Sequence, residues 1–344
     1  MRTAVVLFNL GGPDSLSAVR PFLTNLFDDP AIIRLPRVVR WLVARLIAFR
    51  RAPLAREIYR HLGGSSPILP NTKSQARALE TALGDGFRVF VAMRYWRPLS
   101  AETASAVKAW SPDLVALVPL YPQYSTTTTA SSVAEWRDAA SKTGLSAPTR
   151  ILCCYPDDRG FIEAVVAMLG RALDETPAGA RVRVLFSAHG LPERIVAAGD
   201  PYRWQVERTV AAVLAMLGRP GLDTVLCFQS RVGPLAWIKP ATDEEIRRAG
   251  ADGRSLIVVP IAFVSEHSET LVELDRDYGR LAKAAGVPSY RRLPTVGVDS
   301  LFILGLASGV RRLAEEDYPV RSNTGARICP PEFTGCLCAQ ASSV

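Results

Sequence analysis

Two of the three histidines in this chain of 344 residues lie directly after runs of apolar residues that are typical of buried strands. His189 stands in the sequence SAHGLP after one such run, and Gly190 beside it permits a ligand to approach the backbone closely. An imidazole at a strand end can take up a proton or bind a metal ion. The alternative is a turn histidine that is hydrogen-bonded only to the local backbone.

A row of carboxylates accompanies the second of these histidines, His267. Ser265 is placed to cap a helix there, and on that helix acidic side chains would recur every three or four residues on one face, at Glu266, Glu269, Glu273 and Asp277. Such a row is often only the solvated face of a helix. Because this one starts at the end of a strand, we interpret it as a site for a divalent cation or as a relay for protons.

Three of the six cysteines lie close together in a C-x6-C-x-C pattern formed by Cys329, Cys336 and Cys338. Six cysteines are too few for a disulfide scaffold in a chain of this length, and the spacing lacks the knuckles of a structural zinc site. Three thiolates need a fourth partner to hold an iron–sulfur cluster, and the adjacent Cys153 and Cys154 at a predicted strand end could supply it. The alternative is that the tail thiols bind nothing.

A basic segment at residues 35–51 contains more apolar residues than one buried helix face needs, and most of its remaining residues are arginine. Helices of this kind, here with Trp41 and Phe49, favour anionic membrane surfaces. A core helix with a basic solvent face is the alternative. The net charge of +8 also favours anionic partners such as phosphates, carboxylates or acidic lipid headgroups.

The elements that must position these groups follow from the hydrophobic pattern. Eight runs rich in Val, Leu and Ile alternate with stretches of helical periodicity, which is the signature of parallel sheets with crossover helices. The runs lie at residues 4–9, 87–93, 114–120, 150–154, 182–187, 224–228, 256–263 and 290–295. They predict an α/β protein with two Rossmann-like halves, each a four-stranded parallel sheet flanked by helices. Ligands of such sheets bind at the carboxyl ends of the strands, where His189 and the acidic row lie.

We place the two halves at residues 1–155 and 156–314, with a helix from about residue 158 opening the second half. A C-terminal extension at residues 315–344 carries the three tail cysteines. The longest uncharged stretch, residues 114–134, is interrupted by Pro119 and Pro122 and cannot be a spanning helix. We therefore expect a soluble or peripherally bound protein in a reducing compartment.

Together these segments resemble the ferrochelatases, enzymes that insert ferrous iron into a porphyrin in the last stage of haem synthesis. The resemblance extends from residue 6 to about residue 314 and rests on seven motifs in order: NLGGP at 9–13, YRHLGGSSPI at 59–68, RY at 94–95, YPQYS at 121–125, SAHGLP at 187–192, FQSRVGP at 228–234 and SEHSETL at 265–271. It implies a lyase of the metal-chelatase type, with a porphyrin cleft between two Rossmann-like halves.

The resemblance implies that His189 and Glu269 form the inner metal site. There Fe²⁺ is a substrate, the imidazole accepts pyrrole protons, and Glu273 extends the route by which protons leave. The family positions that contact the porphyrin match Arg51, Tyr59, Ser66, Arg94, Tyr95 and Trp237. The basic segment at residues 35–51 corresponds to the lip of the cleft, which in the family helps membrane association.

The resemblance also bears on the cysteines. Animal members of the family carry a cluster cysteine directly after the YPQYS motif, where this chain has Thr126. Some bacterial members instead resemble this chain, with a C-x6-C-x-C tail and an internal cysteine near the end of the fourth strand. This implies a two-iron two-sulfur cluster held by Cys329, Cys336, Cys338 and Cys154, with Cys153 as the close alternative to Cys154.

The apolar lip favours protoporphyrin IX as the substrate, with coproporphyrin III as the alternative. A cobalt or nickel chelatase of the same fold is a further alternative, against which Glu269 and the lip segment count. A non-catalytic haem or porphyrin carrier would not need the acidic row. We expect a cytoplasmic protein that is peripherally associated with the membrane and has no nucleic-acid partner. A homodimer is open as the oligomeric state, because cluster-bearing relatives are often dimers.

Overall fold

Nine strands form two parallel sheets in the computed structural model, which describes residues 1–231, 233–325 and 327–341. Val232 of the motif at 228–234 and residues 342–344 of the C-terminal extension lie outside the described residues. The strands are β1 (Thr3–Asn9), β2 (Phe87–Met93), β3 (Leu114–Pro119), β4 (Thr149–Cys154), β5 (Val182–His189), β6 (Asp223–Gln229), β7 (Ser255–Pro260), β8 (Tyr290–Arg292) and β9 (Val320–Ser322). The first sheet has the order β2-β1-β3-β4-β9, and the second has the order β6-β5-β7-β8.

All eight predicted runs form strands, and the α/β fold with two parallel sheets is confirmed. Every residue of β1 and β3 is buried, because helices cover both faces of the sheet. The first sheet has five strands instead of the expected four, because the C-terminal extension returns and adds β9 beside β4. That strand has only three residues, Val-Arg-Ser, which is too short for a periodic pattern.

Helices connect the strands and cover the sheets. They are α1 (Val19–Phe27), α2 (Arg37–His61), α3 (Ile68–Leu83), α4 (Ser100–Trp110), α5 (Thr129–Thr143), α6 (Arg159–Asp174), α7 (Glu193–Ala197), α8 (Tyr202–Leu217), α9 (Thr242–Ala251), α10 (Tyr278–Ala284), α11 (Ser300–Glu315) and α12 (Leu337–Ala341). A π-helix, Glu269–Asp277, runs directly into α10. The expected helix from about residue 158 is α6, whose first turn is capped by Asp158 through the amide of Phe161.

One apolar core joins the two sheets. Leu7 and Val118 of the first sheet belong to the same buried cluster as Phe186 and Val259 of the second. The division of the chain at residues 155 and 314 stays a prediction.

The second sheet positions His189 and the segments that carry the other candidate site residues. Its central strand β5 lies between β6 and β7, and all three run in parallel. Their carboxyl ends therefore meet at one edge of the sheet, where the chain continues through Gly190, Ser230 and residues 261–268.

Candidate active site

His189 is the last residue of β5. Its Nδ1 donates a hydrogen bond to the carbonyl oxygen of Gly190 at 2.6 Å, which fixes the tautomer. Nε2 is therefore the ring nitrogen that faces Glu269, whose Oε1 lies 3.8 Å away. A Cβ on residue 190 would lie 2.9 Å from the carbonyl oxygen of Gln229, so this close packing requires glycine. The His189 side chain is 39% exposed, so a ligand can reach it.

The Glu269 carboxylate lies between two imidazoles. Its Oε1 faces His189, and its Oε2 lies 3.8 Å from Nε2 of His267. His267 donates its Nδ1–H to the carbonyl oxygen of Ser265 at 2.9 Å, so its Nε2 is also directed at the carboxylate. Burial raises the pKa of Glu269, but the two histidines and Ser230 outweigh burial and lower it to about 2. For His267 burial has the opposite effect and lowers the pKa. The interactions with Glu269 outweigh burial, so the pKa of His267 is raised overall.

Glu273 is held by several donors one turn further along the π-helix. It accepts hydrogen bonds from the Ser230 hydroxyl, from the Ser230 amide at 2.9 Å and from the Tyr278 hydroxyl at 3.1 Å. The Ser230 hydroxyl also lies 3.5 Å from Oε2 of Glu269, so it stands between the two carboxylates. Burial and the nearby charge of Glu269 raise the pKa of Glu273. The two carboxylates therefore differ in proton affinity, with Glu269 ionised and Glu273 the better proton acceptor.

The helix cap predicted at Ser265 is wrong. Its hydroxyl donates instead to Oε1 of Gln75 at 2.7 Å, and the helix begins later, at Glu269. Glu266 precedes the helix and pairs with Arg292 at 2.6 Å, so it is not part of the acidic face. The physical reason is that both side chains are taken by buried partners that are distant in sequence. The acidic row is reduced to Glu269, Glu273 and Asp277.

Two of the six residues predicted to contact the porphyrin lie beside this centre. Tyr59, near the end of α2, lies beside Ser268 and Glu269, and burial raises its pKa to about 12, with a further contribution from the Glu269 charge. Trp237 packs next to Gly190, since a Cβ on that glycine would lie 3.3 Å from the indole ring. Tyr59 therefore lies near Glu269, and Trp237 lies next to the residue that follows His189.

Arg94 and Tyr95 have other partners. Both donate to Oδ2 of Asp29, at 2.9 Å and 2.7 Å, and Nε of Arg94 donates to the Ser131 hydroxyl at 2.7 Å. Asp29 is only 3% exposed and lies in the loop between α1 and α2. These two residues thus anchor the loop that leads into α2.

The remaining two residues of the six lie on the first half of the chain. The guanidinium of Arg51 is 5.7 Å from the ring centre of Phe27, which is a cation–π contact. Ser66 is buried against Gly12, and its amide donates to the carbonyl oxygen of Pro13 at 2.8 Å. The two glycine-bearing segments at residues 10–13 and 62–67 thereby pack on each other.

Helix α2 contains the predicted lip segment and is called the lip helix below. Its buried face is formed by small residues at intervals of four, Ala44, Ala48 and Ala52. Its large apolar side chains are exposed instead: Val38, Val39, Trp41, Leu42, Leu46, Phe49 and Leu54. This is the reverse of an ordinary amphipathic helix in a soluble protein. Within the described part of the chain, no helix has the length and apolar character needed to cross a membrane.

The C-terminal extension brings its cysteines to the end of β4. The sulfur atoms of Cys153, Cys336 and Cys338 lie within 4.8 Å of one another, and all three side chains are buried. The sulfur of Cys329 accepts a hydrogen bond from Nε2 of Gln205 at 3.1 Å. Interactions with the neighbouring cysteines raise the pKa values of Cys329 and Cys338 and lower the pKa of Cys336. Three cysteine sulfurs grouped in this way fit a thiolate-bound metal centre.

A bulge at Cys153 decides which strand cysteine joins the group. Leu152 pairs with Arg321 and Cys154 pairs with Ser322, so Cys153 is the extra residue in β4. Both strand cysteines consequently pack into one apolar cluster with the tail cysteines. Cys153 is the one whose sulfur meets those of Cys336 and Cys338.

A family model described as Ferrochelatase matches residues 2–314. The chain belongs to the ferrochelatase family. Relatives named Ferrochelatase extend over the whole chain. One from Phenylobacterium zucineum is 51% identical over 343 residues, which is 98% of each chain. Others are from Caulobacter vibrioides (49% over 348 residues, 99% of each chain) and Rickettsia bellii (46% over 344 residues, 98% of this chain and 95% of the relative). Ferrochelatases are metal chelatases of the lyase class, with ferrous iron and a porphyrin as substrates.

Solved structures share the fold with this ferrochelatase family member. The sirohydrochlorin chelatase SirB of Bacillus subtilis subspecies spizizenii, in complex with cobalt, aligns with a TM-score of 0.52 at 15% identity over 92% of this chain and 97% of its own. SirB from Bacillus subtilis with Fe³⁺ gives a TM-score of 0.51 at 16% identity, over 91% of this chain and 96% of its own. At this identity the likeness concerns the fold alone.

Two residues beside the site are not among the predicted site residues. The sequence indicates His267 only as a histidine after a strand, although its position two residues before Glu269 is a signal that also points to the site. Ser230 had a weaker signal, its position directly after β6. It is one of only two residues other than glycine with a positive φ among the described residues, at 65°, and this turn directs its amide and hydroxyl at Glu273.

Proposed function

We propose that this protein inserts Fe²⁺ into protoporphyrin IX to form protohaem, with release of two protons. The observation that carries the proposal is the Glu269 carboxylate between the Nε2 atoms of His189 and His267. Imidazole nitrogen and carboxylate oxygen are donors that suit ferrous iron. Membership of the ferrochelatase family supports the same reaction.

The catalytic roles follow from the position of His189 and from the charge of Glu269. Two pyrrole N–H bonds of the free porphyrin must break as the iron–nitrogen bonds form, and both protons must leave. Nδ1 of His189 is occupied by the Gly190 carbonyl and Nε2 faces Glu269, so Nε2 is the atom that acts as the base for a pyrrole proton. Glu269 is an anion because its pKa is about 2, so it attracts Fe²⁺ and holds it beside the ring.

Glu273 supplies the route by which protons leave. The Ser230 hydroxyl links it to Glu269, and its raised pKa lets it take up a proton that Glu269 holds poorly.

The six predicted porphyrin-contacting residues divide into three groups in this proposal. Tyr59 and Trp237 contact the macrocycle beside the metal site, as their positions next to Ser268 and Gly190 support. Arg51 and Ser66 contact it from the first half, for which the family resemblance is the support. Arg94 and Tyr95 contribute through Asp29, because their polar groups are already bonded to it, and so they hold the loop before the lip helix.

The exposed apolar residues of the lip helix favour protoporphyrin IX, which has two propionates, over coproporphyrin III, which has four. They also support peripheral association with anionic membranes, since arginines lie among them. The proposal also includes a cytoplasmic location, a homodimer and two halves divided at residue 155. These parts rest on the resemblance alone. Sedimentation velocity would measure the oligomeric state.

We propose further that the extension holds a two-iron two-sulfur cluster through Cys329, Cys336 and Cys338 and one cysteine of β4. The close approach of its sulfur to two tail sulfurs favours Cys153 over Cys154, which the sequence had favoured. When bound, the cluster would neutralise crowded thiolates and pin the extension to the first sheet. It takes no part in the chemistry assigned to His189 and Glu269.

Anaerobic turnover tests the function. Purified protein is mixed with Fe²⁺ and either protoporphyrin IX or coproporphyrin III, and the absorbance of the haem product is followed. We expect saturable formation of protohaem, with a higher kcat/KM than for coproporphyrin. Tight porphyrin binding without metal insertion would indicate a carrier instead. Preference for Co²⁺ or Ni²⁺ and an earlier tetrapyrrole would indicate the rival chelatase.

A further inference from the structure

Side chains on one face of α3 are hydrogen-bonded to the segment that leads into the π-helix. Helix α3 belongs to the first half, whereas residues 264–266 follow β7 of the second half. Asn71 and Gln75 are four residues apart, so they lie one above the other on the same side of α3. Gln75 is 1% exposed, which means that its amide has to find partners inside the protein.

The two side chains bond to three consecutive residues of that segment. Nε2 of Gln75 donates to the carbonyl oxygen of Val264 at 2.8 Å, and its Oε1 accepts the hydroxyl of Ser265 at 2.7 Å. Nδ2 of Asn71 donates to the carbonyl oxygen of Glu266 at 3.0 Å. Gln75 also donates to the carbonyl oxygen of Gly297 at 2.9 Å, so its amide uses both donor hydrogens and its acceptor.

This hydrogen-bonded segment in turn holds the side chain of His267 in its position beside Glu269. The carbonyl oxygen of Ser265 accepts the Nδ1–H of His267, which directs Nε2 of His267 at Glu269. The amide of His267 donates to the Thr270 hydroxyl at 2.9 Å, which ties the segment to the first turn of the π-helix. A continuous series of hydrogen bonds and contacts therefore connects Gln75 to Glu269.

We propose that Asn71 and Gln75 are positioning residues for iron insertion, through which the first half sets the place of Glu269 and His267 in the second half. This proposal rests on the proposed function, in which the side chains of Glu269 and His267 bind Fe²⁺. The proposal predicts a selective defect when these contacts are lost. Use of Fe²⁺ is impaired, whereas binding of the porphyrin, which involves Trp237 and the lip helix, is not.

The test compares Gln75→Met with Gln123→Met. Both changes keep the approximate volume and remove a buried amide between the halves. Gln123 is 2% exposed and donates to the Thr209 hydroxyl at 2.9 Å and to the carbonyl oxygen of Ile261 at 3.3 Å, but not to residues 264–266. We therefore expect both variants to have a lowered melting temperature, which controls for a merely structural effect.

Only Gln75→Met should lower kcat/KM for Fe²⁺, on the order of 10- to 100-fold, since small displacements of catalytic groups have effects of that size. Its dissociation constant for protoporphyrin, measured by fluorescence quenching, should remain that of the wild type. Deuterium exchange of the amides at residues 265–273 should become faster in Gln75→Met and stay unchanged in Gln123→Met. Ser265→Ala removes one of the three contacts and should give a smaller loss in the same direction, which serves if Gln75→Met does not fold.

An unchanged kcat/KM for Fe²⁺ in Gln75→Met, or an equal loss in Gln123→Met, would overturn the positioning role. Absence of iron insertion by the wild type would overturn the proposed function instead. The deuterium-exchange measurement does not need turnover. Even if the wild type inserts no iron, unchanged exchange in Gln75→Met would refute the claim that Gln75 holds residues 264–266 in place.

Discussion

Among single residues, Glu269 has the largest expected effect on activity. Glu269→Gln keeps the volume and removes the charge that attracts Fe²⁺, so we expect iron insertion to fall by about 100- to 10,000-fold, the range of a lost catalytic carboxylate or base. The melting temperature should fall modestly, because the interactions with the two histidines that lower the pKa of Glu269 also stabilise the folded protein. Steady-state kinetics and thermal unfolding measure the two effects.

Asp277→Asn is the matched control for Glu269→Gln. Asp277 is a carboxylate at the end of the same π-helix, but it is 49% exposed and pairs with Arg280. Its loss should leave the rate within a few-fold of the wild type. An equal loss in both variants would mean that the net charge of the helix, and not the Glu269 position, supports the reaction.

The pH dependence of the reaction follows from the same residues. Because the pKa of Glu269 is about 2, that carboxylate stays ionised at every pH at which the enzyme can be assayed. On acidification His267 takes up a proton long before Glu269 does, because its pKa is raised above the ordinary imidazole value of about 6.5. We expect kcat/KM for Fe²⁺ to fall as the pH drops through this raised pKa, because the added positive charge beside Glu269 opposes the binding of Fe²⁺. An acid limb centred near pH 4 would contradict this assignment.

At the scale of elements, the strands could be predicted from the sequence, but the π-helix could not. A buried parallel strand shows as a short apolar run, so β1 and β3 are visible without any knowledge of their neighbours. The position where the helix after β7 begins depends on Gln75, which is 190 residues away from Ser265 in the chain and takes the hydroxyl that would otherwise cap a helix. Local pattern carries no information about such a partner.

The lip helix exposes the side chains that an ordinary helix buries. Arginines near an anionic surface contribute about 1 kcal/mol each, and apolar residues such as Trp41 and Leu42 add insertion into the headgroup region. We expect sedimentation with acidic vesicles that weakens in high salt and in the double variant Trp41→Ser, Leu42→Ser. Leu304→Ser is the control, because Leu304 is 55% exposed but lies on α11. Equal weakening by the control, or binding insensitive to salt, would argue against a specific lip.

At the scale of the whole molecule, the C-terminal extension contacts segments that follow strands of both sheets. The Tyr124 hydroxyl, after β3, donates to the carbonyl oxygen of Gly335 at 2.8 Å, and the Gly335 amide donates to the carbonyl oxygen of Gly199, after α7, at 3.1 Å. A Cβ at Gly199 would lie 2.7 Å from the Thr334 hydroxyl, so the extension can dock there only against glycine. The spacing of the cysteines predicted a metal centre, but the bulge that selects Cys153 is a property of strand pairing that no sequence pattern shows.

The cluster proposal makes a prediction about colour and stability. Protein purified without oxygen should be reddish-brown, with about one sulfide per iron. Cys336→Ser and Cys153→Ser should each remove the colour and lower the melting temperature by about 5 °C or more, because the binding energy of a structural centre contributes to folding. Cys154→Ser should keep the colour, and it is the matched control on the same strand. Colourless wild-type protein that contains zinc, or colour that survives Cys153→Ser but not Cys154→Ser, would contradict the assignment.

The rate of iron insertion by His189→Ala, measured together with its porphyrin affinity, tests the central claim most directly. The variant removes the Nε2 atom that faces Glu269, while the side chain is 39% exposed and contributes little packing. We predict that protoporphyrin still quenches the protein fluorescence at wild-type concentrations and that formation of protohaem falls at least about 100-fold. Formation of protohaem within a few-fold of the wild-type rate would contradict the claim that iron enters the porphyrin between His189 and Glu269.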